Sequence, residues 1–184
     1  TPFTEEQLIP KEEKLEVLKK GKKFSIGIPR ETCLHEKRLC ITPDAVQVLV
    51  EHGHDIILEA GAGEGSFFTD LQFSEAGAQI TTSQAEVYGQ DLVLKINPPT
   101  EEEMEFLKPN AYLVSALQIN LRDKDYFKKL AEKKVNAIAF EFIMDEYRQL
   151  SLIRLIGEIA GGIYILYASE LLAKSNGLML GGIT

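Results

Sequence analysis

The sequence predicts an α/β fold: a mainly parallel sheet flanked by helices, Rossmann-like or flavodoxin-like, followed by a long interdomain helix. Three observations predict it. Short apolar runs recur from Phe24 onward, segments of helical periodicity separate them, and a long stretch from Leu150 is apolar on more than one face. Strands that alternate with helices imply right-handed crossovers and therefore parallel pairing. Of the 184 residues 45% are hydrophobic, enough for a real core and too many for a disordered chain.

Residues 1–23 read as an amino-terminal arm, in which lysines and glutamates alternate around Leu8, Ile9, Leu15, Val17 and Leu18. Lys11 to Lys20 suits a short solvated surface helix with Glu–Lys pairs. Residues 24–148 read as the α/β domain. Phe24-Ser25-Ile26-Gly27-Ile28 is a buried strand stopped by Pro29. Thr42-Pro43-Asp44 opens a helix with a Thr cap, Pro at the first helical position and a carboxylate near the positive end. Ala45, Val46, Leu49 and Val50 form its inward stripe, and Gly53 ends it. Ile56-Ile57-Leu58 is the next strand.

Gly61-Ala62-Gly63-Glu64-Gly65 follows that strand, but its spacing departs from G-x-G-x-x-G. Ser66-Phe67-Phe68-Thr69-Asp70 opens no convincing helix, so the segment reads as a tight loop with left-handed positions. A further strand, Asp91 to Ile96, stops at Pro98-Pro99. Thr100 and Glu103 stand at capping-box spacing and open an acidic helix through Leu107. Ala111 to Leu117 is a strand, Asp123 to Lys134 an amphipathic helix with Tyr126, Phe127, Leu130 and Ala131 inward, and Ala137 to Phe140 the last strand.

Residues 149–184 read as a long linker helix and the start of a further domain. Gly157, Gly161 and Gly162 lie inside the helical stretch, each costing about 1 kcal/mol against Ala. Close approach of a neighbouring helix is the expected compensation, so the helix is expected to have two neighbours, its own domain and a second subunit or domain. The apolar, glycine-rich run from Gly177 to Thr184 reads as a point of truncation.

Composition excludes several functions. Twenty Lys and Arg stand against 28 Asp and Glu, a formal charge of −8, so no basic excess is present to neutralise nucleic-acid phosphates. Cys33 and Cys40 cannot framework a domain of this length, and they lack a histidine at any recognisable nucleophile spacing. Within Leu150 to Ala173 the longest uncharged run is Ile159 to Ser169, which is expected to be too short to span a bilayer. Thr1 to Lys23 lacks the apolar region of a signal peptide, and a cytoplasmic protein is expected. His52 and His54 flank Gly53 at a helix end with no third ligand near them, so no metal is expected.

Ligands of open parallel sheets collect beyond the carboxyl ends of the strands. That rule selects Arg30, Glu31, His35, Lys37 and Arg38, then Lys95 and Asn97, then Gln118 and Asn120, then Glu141. Arginine, asparagine and glutamine converging on one edge suit a small carboxylate, which the guanidinium fork grips in two places. Ordinary polar loops would show the same residues.

Ile26-Gly27-Ile28-Pro29-Arg30-Glu31, with Arg38 and Ile41-Thr42-Pro43, resembles the amino terminus of alanine dehydrogenases and of the transhydrogenase alpha subunit. Gly53-His54, Glu59 through Ser66, Ala76-Gly77-Ala78, Leu94-Lys95, Glu158-Ile159-Ala160-Gly161 and Gly177 to Gly182 match further blocks, so the resemblance runs from about Phe24 to Thr184 and is closest overall to alanine dehydrogenase. It implies a two-domain oxidoreductase whose first domain holds a small oxo acid or amino acid. A second, Rossmann domain holds NAD, so residues 1–184 alone are expected to be inactive. It also implies a homo-oligomer through the 150–174 helix.

By the same resemblance Arg38 stands where the arginine that binds the substrate carboxylate lies, and Lys95, just inside Asn97 at the strand end, is expected to bind substrate as well. The catalytic lysine of the Lys-x-Lys-Glu-Pro block is here Asn97, in Lys95-Ile96-Asn97-Pro98-Pro99, and the substrate-facing histidine is Gln118. The serine before Glu-x-Ala-Gly is Gly157. Asn97 and Gln118 can hydrogen-bond a carbonyl but cannot act as acid or base near neutral pH. The transhydrogenase alpha subunit also has Asn at the first position. That leaves three functional expectations: an alanine dehydrogenase domain, a transhydrogenase alpha domain, and a carboxylate-binding or assembly module without catalysis.

Overall fold

A computed structural model describes residues 22–176. The arm helix expected over Lys11 to Lys20 and the run from Gly177 lie outside the described residues. The strands are β1 Ser25–Ile28, β2 Asp55–Glu59, β3 Gln79–Thr81, β4 Leu92–Leu94, β5 Tyr112–Ser115 and β6 Asn136–Ala139. The helices are α1 Pro43–Glu51, α2 Asp70–Glu75, α3 Gln84–Tyr88, α4 Glu101–Glu105, α5 Lys124–Glu132 and α6 Ser151–Asn176.

All six strands pair in parallel, in the order β3-β2-β1-β4-β5-β6. The order reverses between β1 and β4, where Ile26 is opposite Leu92 and Gly27 opposite Val93. Loops leaving these two strands diverge to opposite sides and open a crevice at their carboxyl ends.

The core has two halves. Ile26, Ile28, Val46, Ile56, Leu58, Phe73 and Ala78 form one. Tyr88, Val93, Met104, Leu107, Leu113, Leu117, Tyr126 and Leu130 form the other. Gly27 is required by packing, because a Cβ there would lie 1.9 Å from the Val87 carbonyl oxygen at the end of α3.

Local chemistry accounts for most of the elements. Pro43 starts α1 after Thr42, as expected, but the Thr42 side chain makes no cap hydrogen bond, and Ala45 is exposed rather than inward. Gly53 ends the turn after α1 at φ +90°. Thr100 and Glu103 form the expected reciprocal capping box on α4. Asp123 caps α5 through the Tyr126 N–H; Tyr126 and Leu130 are buried, whereas Ala131 is exposed.

Three elements lay outside the sequence reading: β3, α2 and α3. Thr69 caps α2 with Gln72 in a full capping box, which corrects the expectation that this segment opens no helix. The Gly61–Gly65 loop is tight as expected, with Gly61 at φ +76° and a short 3₁₀ turn over Glu64–Ser66.

Helix α6 corrects two expectations. At 26 residues it is about 39 Å long at ~1.5 Å per residue, and it contains an 18-residue window of mean hydropathy 1.4, none of it buried. By length and composition alone it could cross a membrane, so the charged interruptions do not exclude that on length; Arg154 and Glu158 lie side by side at 3.7 Å. A Cβ at Gly157, Gly161 or Gly162 would meet nothing within 4 Å, so the close approach expected there is absent among the described residues.

Candidate functional site

The irregular segment from Pro29 to Thr42, leaving β1, folds over the end of β4. Gly65 lets the loop after β2 abut it: a Cβ would lie 2.8 Å from the Lys37 carbonyl oxygen, and Ser66 Oγ donates to that oxygen at 2.7 Å. The segment is thereby pinned just before Arg38.

Glu31 turns back onto the end of β4. Its Oε1 accepts from the Ile96 N–H at 2.6 Å, and its Oε2 from Lys95 Nζ, the Asn97 N–H and Asn97 Nδ2, each at 3.3 Å. Lys95 is 2% exposed. Its ammonium lies between Glu31 and Glu103, the latter at 3.6 Å. Glu103 thus has two tasks: Oε2 takes the Thr100 N–H at 2.8 Å in the capping box, while Oε1 faces Lys95 and accepts from Thr32 Oγ1 at 3.2 Å.

Glu36 joins this buried cluster to Arg38. Arg38 donates from Nε to Glu36 Oε1 at 2.8 Å and from Nη2 to Oε2 at 2.6 Å, a bidentate pair. Asn97 Nδ2 donates to the same Oε2 at 3.1 Å. The Arg38 hydrogen bond, with a smaller one from Asn97, holds the Glu36 carboxyl down at about 2. Arg38 itself is 59% exposed at its side chain.

Two hollows meet at Arg38. A polar cleft of about 540 Å³ is lined by Arg30, Glu36, Arg38, Glu59, Glu64 and Gln84 among others. An apolar groove of about 560 Å³, under α6, is lined by Arg38, Cys40, Ile96, Phe140, Ile156 and Ile163 among others. Cys40 Sγ donates to the Leu94 carbonyl at 3.4 Å, and burial pushes its thiol up to about 12, an inert rather than a nucleophilic sulfur.

Of the four residues expected at the site, the structure brings Arg38, Lys95 and Asn97 into one network. Gln118 stands apart. It follows β5 at φ +50°, its N–H donates to Glu141 Oε1 at 2.9 Å, it shares no hydrogen bond with the other three, and like Asn97 it lines neither hollow at Arg38. Lys95 is in the lining of the apolar groove, but its ammonium is committed to two carboxylates. Glu36 and Glu103 went unrecognised as site members. The first lies two residues from Arg38 with no periodicity to mark it, and the second reads fully as a cap.

His54 Nδ1 accepts from the Phe24 N–H at 3.2 Å, and no group of three metal-ligating side chains occurs among the described residues. The Gly61–Gly65 loop does not fit a dinucleotide. Gly61 N–H donates to both Asp70 carboxylate oxygens, and the Ala62, Glu64 and Ser66 N–H groups are taken by Glu59, Gly61 and Gly63 carbonyls. A Cβ at Gly63 would lie 2.7 Å from the Phe73 ring.

The profile of the alanine dehydrogenase/PNT N-terminal domain family matches residues 27–160. The chain belongs to this family. The alanine dehydrogenase of Staphylococcus saprophyticus is 38% identical over 161 residues, 86% of this chain and 43% of that protein. Alanine dehydrogenase 2 of Staphylococcus aureus is 38% identical over 163 residues, 87% and 44% of the two. Among solved structures, an L-alanine dehydrogenase superposes with a TM-score of 0.81 at 28% identity, over 86% of this chain and 45% of that one. A transhydrogenase from Sinorhizobium meliloti gives 0.61 at 25%, over 66% and 36%. The chain thus spans less than half the length of these alanine dehydrogenase/PNT relatives.

Proposed function

We propose that this alanine dehydrogenase/PNT N-terminal domain is the substrate-holding part of an NAD-dependent L-alanine dehydrogenase, which converts L-alanine, water and NAD to pyruvate, ammonia and NADH. The observation that carries the reading is Arg38. At the switch point of a parallel sheet, in a chain 38% identical to alanine dehydrogenases, an exposed guanidinium is braced on one edge by Glu36. Its other edge is the carboxylate anchor. Asn97 supplies a hydrogen bond and no proton transfer, and Gln118, which stands apart from Arg38, has no part in this reading. NAD is held outside the described residues, whose one glycine-rich loop is closed on itself.

The L-alanine dehydrogenase structure covers more of the chain, and superposes better, than the transhydrogenase, which favours this reading over a transhydrogenase alpha domain. The neutral amides at 97 and 118 favour one second reading, a carboxylate-binding module without catalysis. Alanine-dependent reduction of NAD by the intact protein separates them: turnover removes the second reading, and alanine binding without turnover removes the first. Residues 1–184 alone are expected to show no turnover. The unburied apolar face of α6 supports a homo-oligomer formed through residues 150–174, and we place the protein in the cytoplasm.

A further inference from the structure

We propose that Glu31 and Glu36 are positioning residues that fix the side-chain amide of Asn97 in one orientation, so that the site selects an acid with a hydrogen-bond donor on its α-carbon over the matching 2-oxo acid. The inference rests on Arg38 being the carboxylate anchor and adds the choice between the two small acids.

A primary amide carries two N–H donors on nitrogen and only acceptor lone pairs on oxygen. Asn97 Nδ2 gives its protons to Glu31 Oε2 at 3.3 Å and Glu36 Oε2 at 3.1 Å. An ionised carboxylate cannot donate. Turning the amide round would set its oxygen against two carboxylate oxygens and lose two charge-assisted hydrogen bonds. Glu36 stays ionised at any working pH, because Arg38 holds its carboxyl at about 2. The Asn97 backbone N–H is spent as well, on Glu31 Oε2 at 3.3 Å. What Asn97 has left is Oδ1, which takes no hydrogen bond from the described residues. It can meet a ligand only as an acceptor.

Arg38 divides the ligand's other end in the same way. Glu36 takes Nε and Nη2, one edge of the guanidinium, while Nη1 bonds to none of the described residues. Nη2 of Arg38 and Nδ2 of Asn97 donate to a single oxygen of Glu36, so carboxylate anchor and acceptor are neighbours across one atom. Formal charge points the same way. Glu31, Glu36 and Glu103 face Lys95 and Arg38, leaving the cluster one charge negative, which favours an α-ammonium and disfavours a second oxygen.

The test is a titration of the intact protein with four three-carbon acids that differ at the α-carbon. L-Alanine carries a charged donor, L-lactate a hydroxyl that can donate, pyruvate an acceptor only, and propionate neither. L-Alanine is expected to bind at least about tenfold tighter than pyruvate, with lactate between them, since a hydrogen bond to a charged group is worth that much. This comparison needs no variant. Asn97→Leu is expected to bring alanine to within about threefold of propionate by removing that bond. Glu36→Gln is expected to shrink the alanine-to-pyruvate ratio, whereas a purely structural loss weakens both acids in step. Pyruvate binding as tightly as alanine, or Asn97→Leu weakening both equally, overturns the inference alone, provided that Arg38→Ala still weakens binding at least about tenfold. No binding by any acid, or binding indifferent to Arg38→Ala, overturns the carboxylate-anchor reading and the inference with it.

Discussion

Helices α5 and α6 solve the burial of apolar side chains in opposite ways. In α5 the apolar residues keep to one stripe, and that stripe lies against the sheet: Tyr126 and Leu130 are 3% and 4% exposed, and Tyr126 Oη also reaches the Pro99 carbonyl at 3.0 Å. In α6 the apolar residues go all round. Ile159, Tyr164, Ile165 and Leu166 are each about two-thirds exposed or more, at 66%, 70%, 64% and 72%. An apolar surface of that extent is of the kind that a protein partner, a membrane or a further part of the chain covers. The first helix is satisfied within the described residues; the second has an apolar pattern that the described residues leave largely uncovered. The same contrast separates α6 from the ends of β1 and β4, where every charged group of the buried cluster has a named partner.

The largest expected effect breaks the satisfied side of that comparison. Lys95→Met leaves Glu31 and Glu103 buried without their cation. It should cost about 3–5 kcal/mol in urea unfolding, the loss typical of breaking a buried pair from one side. Next is Leu130→Ala in α5, at about 2–5 kcal/mol by the same measurement, because it empties a packed site. On the unsatisfied side, Ile165→Glu touches no buried neighbour here. It should change the unfolding midpoint by no more than a surface substitution, about 0.5 kcal/mol. If a second copy covers α6, it should also shift the intact protein to smaller species in sedimentation velocity.

The smallest effect is in pH. The Glu36 carboxyl is lowered from an ordinary 4.5 to about 2, chiefly by Arg38. Its contribution to stability is therefore present above pH 4.5 and fades as the pH falls toward 2. Solvent around the exposed Arg38 limits its size. Glu36→Gln should flatten the acid limb of the stability profile across that window.

Much of this was legible in the sequence. Residues that combine pattern with punctuation, such as Phe24 to Pro29, Thr42-Pro43, and Thr100 with Glu103, gave strands and helices close to their observed bounds. The elements that escaped were β3, α2 and α3, of three to six residues, too short to show a period. In α2 the signal was present all the same, as Thr69 and Gln72 at capping-box spacing. At the site, the switch-point rule picked Lys95 and Asn97 just past β4 and Arg38 in the segment leaving β1, and the structure joins these three in one network. It could not separate Lys95, drawn inward by two carboxylates, from a free cation. It placed Gln118 with them, although the left-handed turn after β5 sets it against Glu141 instead. Glu36, which joins Arg38 to Asn97, comes from an irregular segment, where only tertiary contacts assign a role.

Titration of L-alanine into the intact protein and into its Arg38→Ala variant tests the carboxylate anchor most directly. The affinity should fall at least about tenfold in the variant, as expected when a charge-assisted pair is lost. Equal affinities would contradict the assignment of Arg38 and leave only the shared fold and family.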